Sequence, residues 1–515
     1  MAVRGKAILL AAGLALVALN PARADTSYQI RSSGWSPADE RGFGEFITAI
    51  GRSGCRSVDA CLNSPTNPFA ANNPRGFVFR ADCADLPYVL RFYYAWKRGL
   101  PFSWVSDVNP NGRARDIRYT AGGNRVAARR TLRPGADALR VLQELRDSVS
   151  SATYRLHPDM EYGDFYSPAL TQRAIHPGTV IYDPNGHLAL VFAIEADGRI
   201  RYIDSHPDNS LTRGFYDLRF VRASPGMGAG FKNWRPVRDG RLARNSEIAD
   251  FSTAQYFGTG PRPVDSDWKS GRFVLNGQAL DYYDYVRAAL SGGKLKFDPV
   301  QEVADMVKSN CDDLHYRADA VVAGLEAGLQ NRPQPERLPP NIYGTEGAWE
   351  DFSTPSRDAR LKVAFGNLRD EAQRFVEMGR AGDARLLYRG RDLVGNMLAA
   401  YDGAARACRI DYVNSDGRML SLDYEVARTR LFAMSFDPYQ CVERRWGASG
   451  GELASCRDGG TKRAWYEAEQ RLRNQTDRTY EARMDFSLDD LRAGRGGVAN
   501  APDTDARRYL LAQRR

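Results

Sequence analysis

Cys83 follows Asp82 directly, at the head of a segment in which Leu86, Val89, Leu90, Tyr93 and Trp96 recur at helical spacing. Asp82 is a side chain that caps helices, Pro87 falls in the first turn where proline is tolerated, and Gly99 with Pro101 marks the stop. A thiol at a helix start meets unpaired backbone N–H groups and the positive end of the helix dipole. Both favour the thiolate, which is the nucleophilic form. The same N–H groups suit a developing oxyanion. The chemistry this position suggests is therefore covalent catalysis by sulfur.

Such a nucleophile needs a base. The chain has five histidines. His157 and His176 each precede a proline in a loop-rich stretch, and His315 shares a helical segment with Cys311. His187 differs: it follows Gly186 and opens the apolar strand Leu188–Ile194. A base in turn wants an orienting partner. Asp197-Gly198 reads as a two-residue hairpin turn between that strand and Ile200–Ile203. This register sets His187 opposite Asp208, with Asp204, His206 and Asp208 on its face. His206 is then the diagonal neighbour and ranks ahead of Asp204. A bulge or a different turn would bring Asp204 forward. The candidate catalytic set is Cys83, His187 and either His206 or Asp204.

The chain has seven cysteines, an odd number. In an oxidising compartment pairs form and one must be left over. Spacing suggests Cys55–Cys61 across a short polar loop and Cys441–Cys456 across a Gly-rich loop. It also suggests Cys311–Cys408 between two amphipathic helices. Cys83 remains. The competing reading is a different pairing, or a buried and inert Cys83.

The elements that must position these groups fall into regions. Residues 1–24 have the form of a secretory signal: Arg4 and Lys6, an apolar run from Ala7 to Leu19, then Ala22-Arg23-Ala24. Cleavage is expected after Ala24, delivering the chain to the periplasm or outside the cell. Of 72 Lys+Arg against 63 Asp+Glu, removal of Arg4, Lys6 and Arg23 leaves a net +6, too little for a dedicated nucleic-acid binder. No later apolar run reaches transmembrane length. Residues 25–295 are expected to form an α+β domain with its core at about 75–240, and residues 296–515 an all-helical domain. A polar insert at about 103–176 carries Arg113, Arg115, Arg118, Arg125, Arg129, Arg130 and Arg133. This cluster suits a solvated face or contact with an anionic envelope polymer. No metal or cofactor site is expected. No CxxC pairs or ligand-spaced histidines occur, and no phosphate loop joins a strand to a helix.

Two blocks carry a family resemblance. Asp82-Cys83-Ala84-Asp85-Leu86 with Gly99-Leu100-Pro101 resembles the nucleophile helix of the NlpC/P60 and CHAP amidase-peptidases. Pro177-Gly178-Thr179-Val180 with Gly186-His187-Leu188-Ala189-Leu190-Val191 resembles their histidine strand. The resemblance spans roughly residues 75–210. It implies a reduced papain-like fold and cleavage of amide bonds, in many members those of cell-wall peptides. The third residue is His in many NlpC/P60 proteins, which suits His206, and Glu or Asn in CHAP proteins, for which Asp204 is an acidic counterpart. The chain departs in Ala84-Asp85, in lacking a Tyr shortly before Cys83, and in the long spacing from Cys83 to His187. Transglutaminase-like domains also combine a helix-start Cys with a strand His and a strand-end Asp, and are the neighbouring alternative. A non-catalytic envelope-binding protein on the same fold is another.

Overall fold

The computed structural model describes residues 26–114, 116–260, 268–343, 348–352, 354–478 and 484–514. The expected leader and Arg115 lie outside them. The chain folds as mixed helix and sheet. Its centre is a six-stranded antiparallel sheet. We number its strands after the preceding hairpin, β1 (Ser103–Pro110) and β2 (Asn124–Thr131). The sheet strands are β3 (Phe165–Tyr166), β4 (Val180–Asp183), β5 (His187–Ile194), β6 (Ile200–Ser205), β7 (Leu211–Phe215) and β8 (Gly230–Trp234). They lie side by side in the order β3-β8-β4-β5-β6-β7.

The apolar run in β5 is continuous because both faces of the sheet are covered. Tyr182, Leu188, Leu190 and Phe192 face a core shared with helices α1 (Pro37–Arg52) and α2 (Asp85–Arg98). Ile181, Ala189 and Val191 face a second core with Tyr282, Tyr285 and Val286 of a later helix (Tyr282–Leu290). Side chains alternate along each strand, so adjacent apolar residues serve opposite layers.

The region read as a polar insert holds a hairpin that its sequence did not announce, ahead of the helix that the spacing near Ala136–Val149 predicts. Its arginines sit largely on the β1–β2 hairpin, and Ala138–Ser148 forms helix α3. Arg129 pairs with buried Asp164 at 2.7 Å, Arg130 with Glu144 of α3 at 2.6 Å, and Arg118 with Asp116 at 2.7 Å. Arg113, Arg125 and Arg133 are exposed. Half of the described cluster is thus committed to internal ion pairs, which weakens its expected role as a free cationic face.

A further core is built by helices α4 (Pro299–Glu326), α5 (Pro355–Arg380) and α6 (Leu393–Arg406), with Val303, Val307, Leu314, Phe365, Phe375 and Tyr401 at its centre. This part is not all-helical. Arg409–Val413 and Met419–Asp423 pair as an antiparallel hairpin. Ile410 and Tyr412 alternate with exposed residues, a strand period that the surrounding helical charge pattern obscured. A smaller lobe gathers Ile342, Tyr343, Trp349 and Phe436.

The six cysteines expected to pair do so as Cys55–Cys61, Cys311–Cys408 and Cys441–Cys456, leaving Cys83 free. Cys408 lies just past the end of α6 rather than within it. No helix among the described residues is long and apolar enough to cross a membrane. Cys311–Cys408 spans 97 positions of chain, so it constrains the unfolded state strongly. Replacing both cysteines by serine is expected to cost about 2–5 kcal/mol. A fall in the urea midpoint with the slope kept would show this; an unchanged midpoint would contradict it.

Candidate functional site

Cys83 sits two residues ahead of the first residue of α2, in the turn that leads into it. The turn is held by Asp82, whose Oδ1 accepts from the amides of Ala84 at 2.8 Å and Asp85 at 2.9 Å. Asp82 therefore caps the helix as expected, but it also consumes two of the amides that an oxyanion would use. The amide of Cys83 itself makes no hydrogen bond among the described residues. It is the donor this wall offers.

The Cys83 thiol lies 3.7 Å from the carbonyl oxygen of Gly186. Gly186 ends the β4–β5 turn with φ of +83°, a conformation that favours glycine, and a Cβ there would meet the Tyr119 ring at 3.1 Å. The turn thus brings the mouth of β5 against the head of α2. His187, the first residue of β5, is nearly buried.

The β5–β6 register differs from the simple hairpin. The turn is a three-residue loop, Ala196-Asp197-Gly198, closed by Glu195 N–H to Arg199 O at 2.8 Å, with Gly198 at φ +85°. A second irregularity lies between Val191 and Ala193, so that Leu190 pairs with Ile203. Each shifts the pairing, and together they carry Asp208 away from His187 and make Asp204 its diagonal neighbour. Asp204 Oδ2 lies 2.6 Å from His187 Nε2. Asp204, not His206, is the residue hydrogen-bonded to the His187 ring. A carboxylate only accepts, so Nε2 carries the proton and Nδ1 is left as a lone pair. Thr212 from β7 donates to the other oxygen of Asp204. His206 stacks near His187, with ring centroids 5.8 Å apart, and contacts Thr212 Oγ1 at 3.2 Å.

Cys83, His187, Asp204 and His206 line one cavity of about 190 Å³. The rest of its lining comes largely from the C-terminal part, including Asp313, Arg317, Tyr343, Trp349, Arg357 and Arg360. Arg360 reaches Asp204 Oδ2 at 3.4 Å and Arg357 reaches Asp208 at 3.0 Å. These arginines lie in a segment whose sequence reads only as a charged helix. No local signal connects them to a site more than 150 residues away. His157, His176 and His315 do not line the cavity. Cys441, Cys456 and Asp458 cluster closely enough to hold a metal, but the two sulfurs bond each other.

The electrostatics depart from the expected activated thiolate. Burial pushes the Cys83 thiol well up, and the flanking Asp82 and Asp85 carboxylates push the same way. The helix-start effect is outweighed. Burial, then the Arg360 guanidinium, lowers His187 to about 4 against the opposing pull of Asp204. Burial would raise Asp204, but the His187 hydrogen bond and the His206 and Arg360 charges hold it well below the usual carboxylate range. His206 falls to about 3 through burial and Arg357. At neutral pH Cys83 is a thiol and His187 a neutral imidazole in one cavity, with the buried Asp204 carboxylate behind His187; the thiol's hydrogen-bond partner is the Gly186 carbonyl rather than the imidazole.

Comparison with protein-family models, with curated proteins and with solved structures finds no match. Family resemblance therefore rests on the quoted blocks alone.

Two outcomes follow from these charges. Iodoacetamide should modify Cys83 slowly at pH 7 and faster as pH rises; a fast, pH-independent reaction would mean the thiolate is already formed. In NMR titration of the five imidazoles, His187 should change charge near pH 4. Arg360→Gln removes a cation that disfavours imidazolium, so the His187 midpoint should move up. A midpoint that stays put or falls would refute that coupling.

Proposed function

We propose that the protein is a thiol amidase or peptidase on a papain-like scaffold, working in the periplasm or outside the cell, with cell-wall peptides as the substrate class. The observation that carries this reading is the His187–Asp204 pair in one cavity with Cys83. Nε2 is held by Asp204, so Nδ1 is the free base. In the proposed reaction the sulfur of Cys83 bonds to the amide carbon as the thiol proton passes to His187 Nδ1. Collapse of the tetrahedral species breaks the C–N bond, and His187 returns the proton to the departing amine. Water then adds to the thioester while giving its proton to His187. The acid leaves and the thiol is restored. Because the resting pair is neutral, proton transfer accompanies attack rather than preceding it.

Three disulfides are compatible with an oxidising compartment, and the secretory leader expected at residues 1–24 would fit that location. A second reading, acyl transfer to an amine, gains from the acid at the end of β6. A Cys-His-Asp set on a helix start and two strands is the order of transglutaminase-like domains. The two readings differ only in whether water or an amine meets the thioester.

Cys83→Ala should abolish release of new amino groups from muropeptides. Asp204→Asn should lower kcat by about 10²–10⁴ through loss of the tautomer and orientation of His187. A labelled primary amine offered together with substrate separates hydrolysis from transfer. Turnover that survives Cys83→Ala would end both readings.

A further inference from the structure

The cavity that Cys83 lines also holds arginines whose hydrogen-bonding capacity is only partly used. Helix α5 begins there. Its N-cap residue, Thr354, makes no side-chain cap, and Pro355, Ser356 and Arg357 of the first turn line the cavity. The free amides of a first turn and the helix dipole favour an anion. Beneath them lie Arg317 and Arg445, both fully buried. Arg317 forms a two-point pair with Asp358, through Nε at 2.7 Å and Nη2 at 3.2 Å. Arg445 bonds Thr354 Oγ1 and the Ser435 carbonyl, neither of them charged. Two buried guanidinium groups thus share one bonded carboxylate. Arg317 Nη1 and Arg357 Nη1 are both buried and have no hydrogen-bond partner among the described residues. Both residues line the cavity. Unpaired buried N–H groups of a cation are costly, and a carboxylate satisfies them best.

Cavity size narrows the ligand. At about 190 Å³ it is smaller than the roughly 300–1,000 Å³ of ordinary ligand pockets, which suits a short ligand. We propose that Arg317, Arg357 and the first turn of α5 form a carboxylate subsite that anchors the acidic end of the substrate in the cavity that Cys83 lines. This rests on the amidase reading for its placement and deepens it. The substrate class becomes short peptides bearing a free carboxylate close to the scissile amide. The helical C-terminal part then acts as the specificity wall of the enzyme, since it supplies every residue of the subsite.

Binding can be tested without catalysis, using the full chain carrying Cys83→Ala. The probes are N-acetyl-Ala-Ala with a free carboxyl group, the same peptide as its C-terminal amide, and N-acetyl-glutamic acid diamide's singly deprotected side-chain acid. Calorimetry reads affinity, and fluorescence of Trp349 in the cavity wall reports occupancy. At least one acid should bind ten-fold or more tighter than the neutral amide. Whichever acid is preferred identifies a chain terminus or a side chain as the source. Arg357→Gln should erase that preference and Arg357→Lys should keep most of it, while the unfolding midpoint of each variant shows that the chain is intact. Equal affinity for acid and amide, or a preference that survives Arg357→Gln unchanged, would overturn the subsite. Because no thiol is needed, failure here leaves the amidase reading standing. Selective acid binding without turnover in the Cys83 protein would instead keep the subsite and remove the amidase.

Discussion

The buried carboxylate of Asp204 is the point on which the two halves of the chain depend. It accepts from His187 on the neighbouring strand, from Thr212 on the next, and from Arg360 on helix α5. A carboxylate that is only 1% exposed stays charged here because these partners offset its desolvation. Two similar contacts flank it. Arg357 meets Asp208, and Arg478 meets Asp183 at the end of β4. Pairs of opposite sense, Arg219 with Asp313 and Arg199 with Asp305, complete the junction. The C-terminal part is thus docked by ion pairs on the same strand ends that carry His187 and Asp204. Moving it would change the charge around His187 at once.

That arrangement explains why the thiol is quiet at rest. Burial of the sulfur, together with the Asp82 and Asp85 carboxylates, favours the thiol over the thiolate at Cys83. A carboxylate bound in the proposed subsite would place negative charge near Arg357 and Arg360, easing their pressure on the two histidines. On the proposed amidase reading, ligand binding and the charge of His187 would then be coupled through the same guanidinium groups.

Much of this was legible in the sequence, and the parts that were not have identifiable causes. The helix behind Cys83, the strand opened by His187 and the three cysteine pairs follow from local spacing, because each depends on residues close in sequence or on strongly amphipathic elements. The choice between Asp204 and His206 depended on register. A Gly198 bulge and a second slip near Phe192 altered it, and neither leaves a sequence signal distinct from a plain Asp-Gly turn. The hairpin at Arg409–Val413 was masked by charged residues at alternate positions. The quiet thiol required knowing how deeply the turn is covered. Arg317, Arg357 and Arg360 join the site only through tertiary contacts across the junction, and no local pattern encodes those.

The central claim is that Cys83 attacks an acyl carbon with His187 as its base. The most direct measurement is intact-mass analysis of the protein after rapid mixing with a slowly hydrolysed acyl donor, followed by peptide mapping. The account predicts one acyl group per chain, bound as a thioester on the peptide containing Cys83, and none when His187 is replaced by alanine. Acylation elsewhere, or at Cys83 with undiminished rate in the His187→Ala protein, would contradict it.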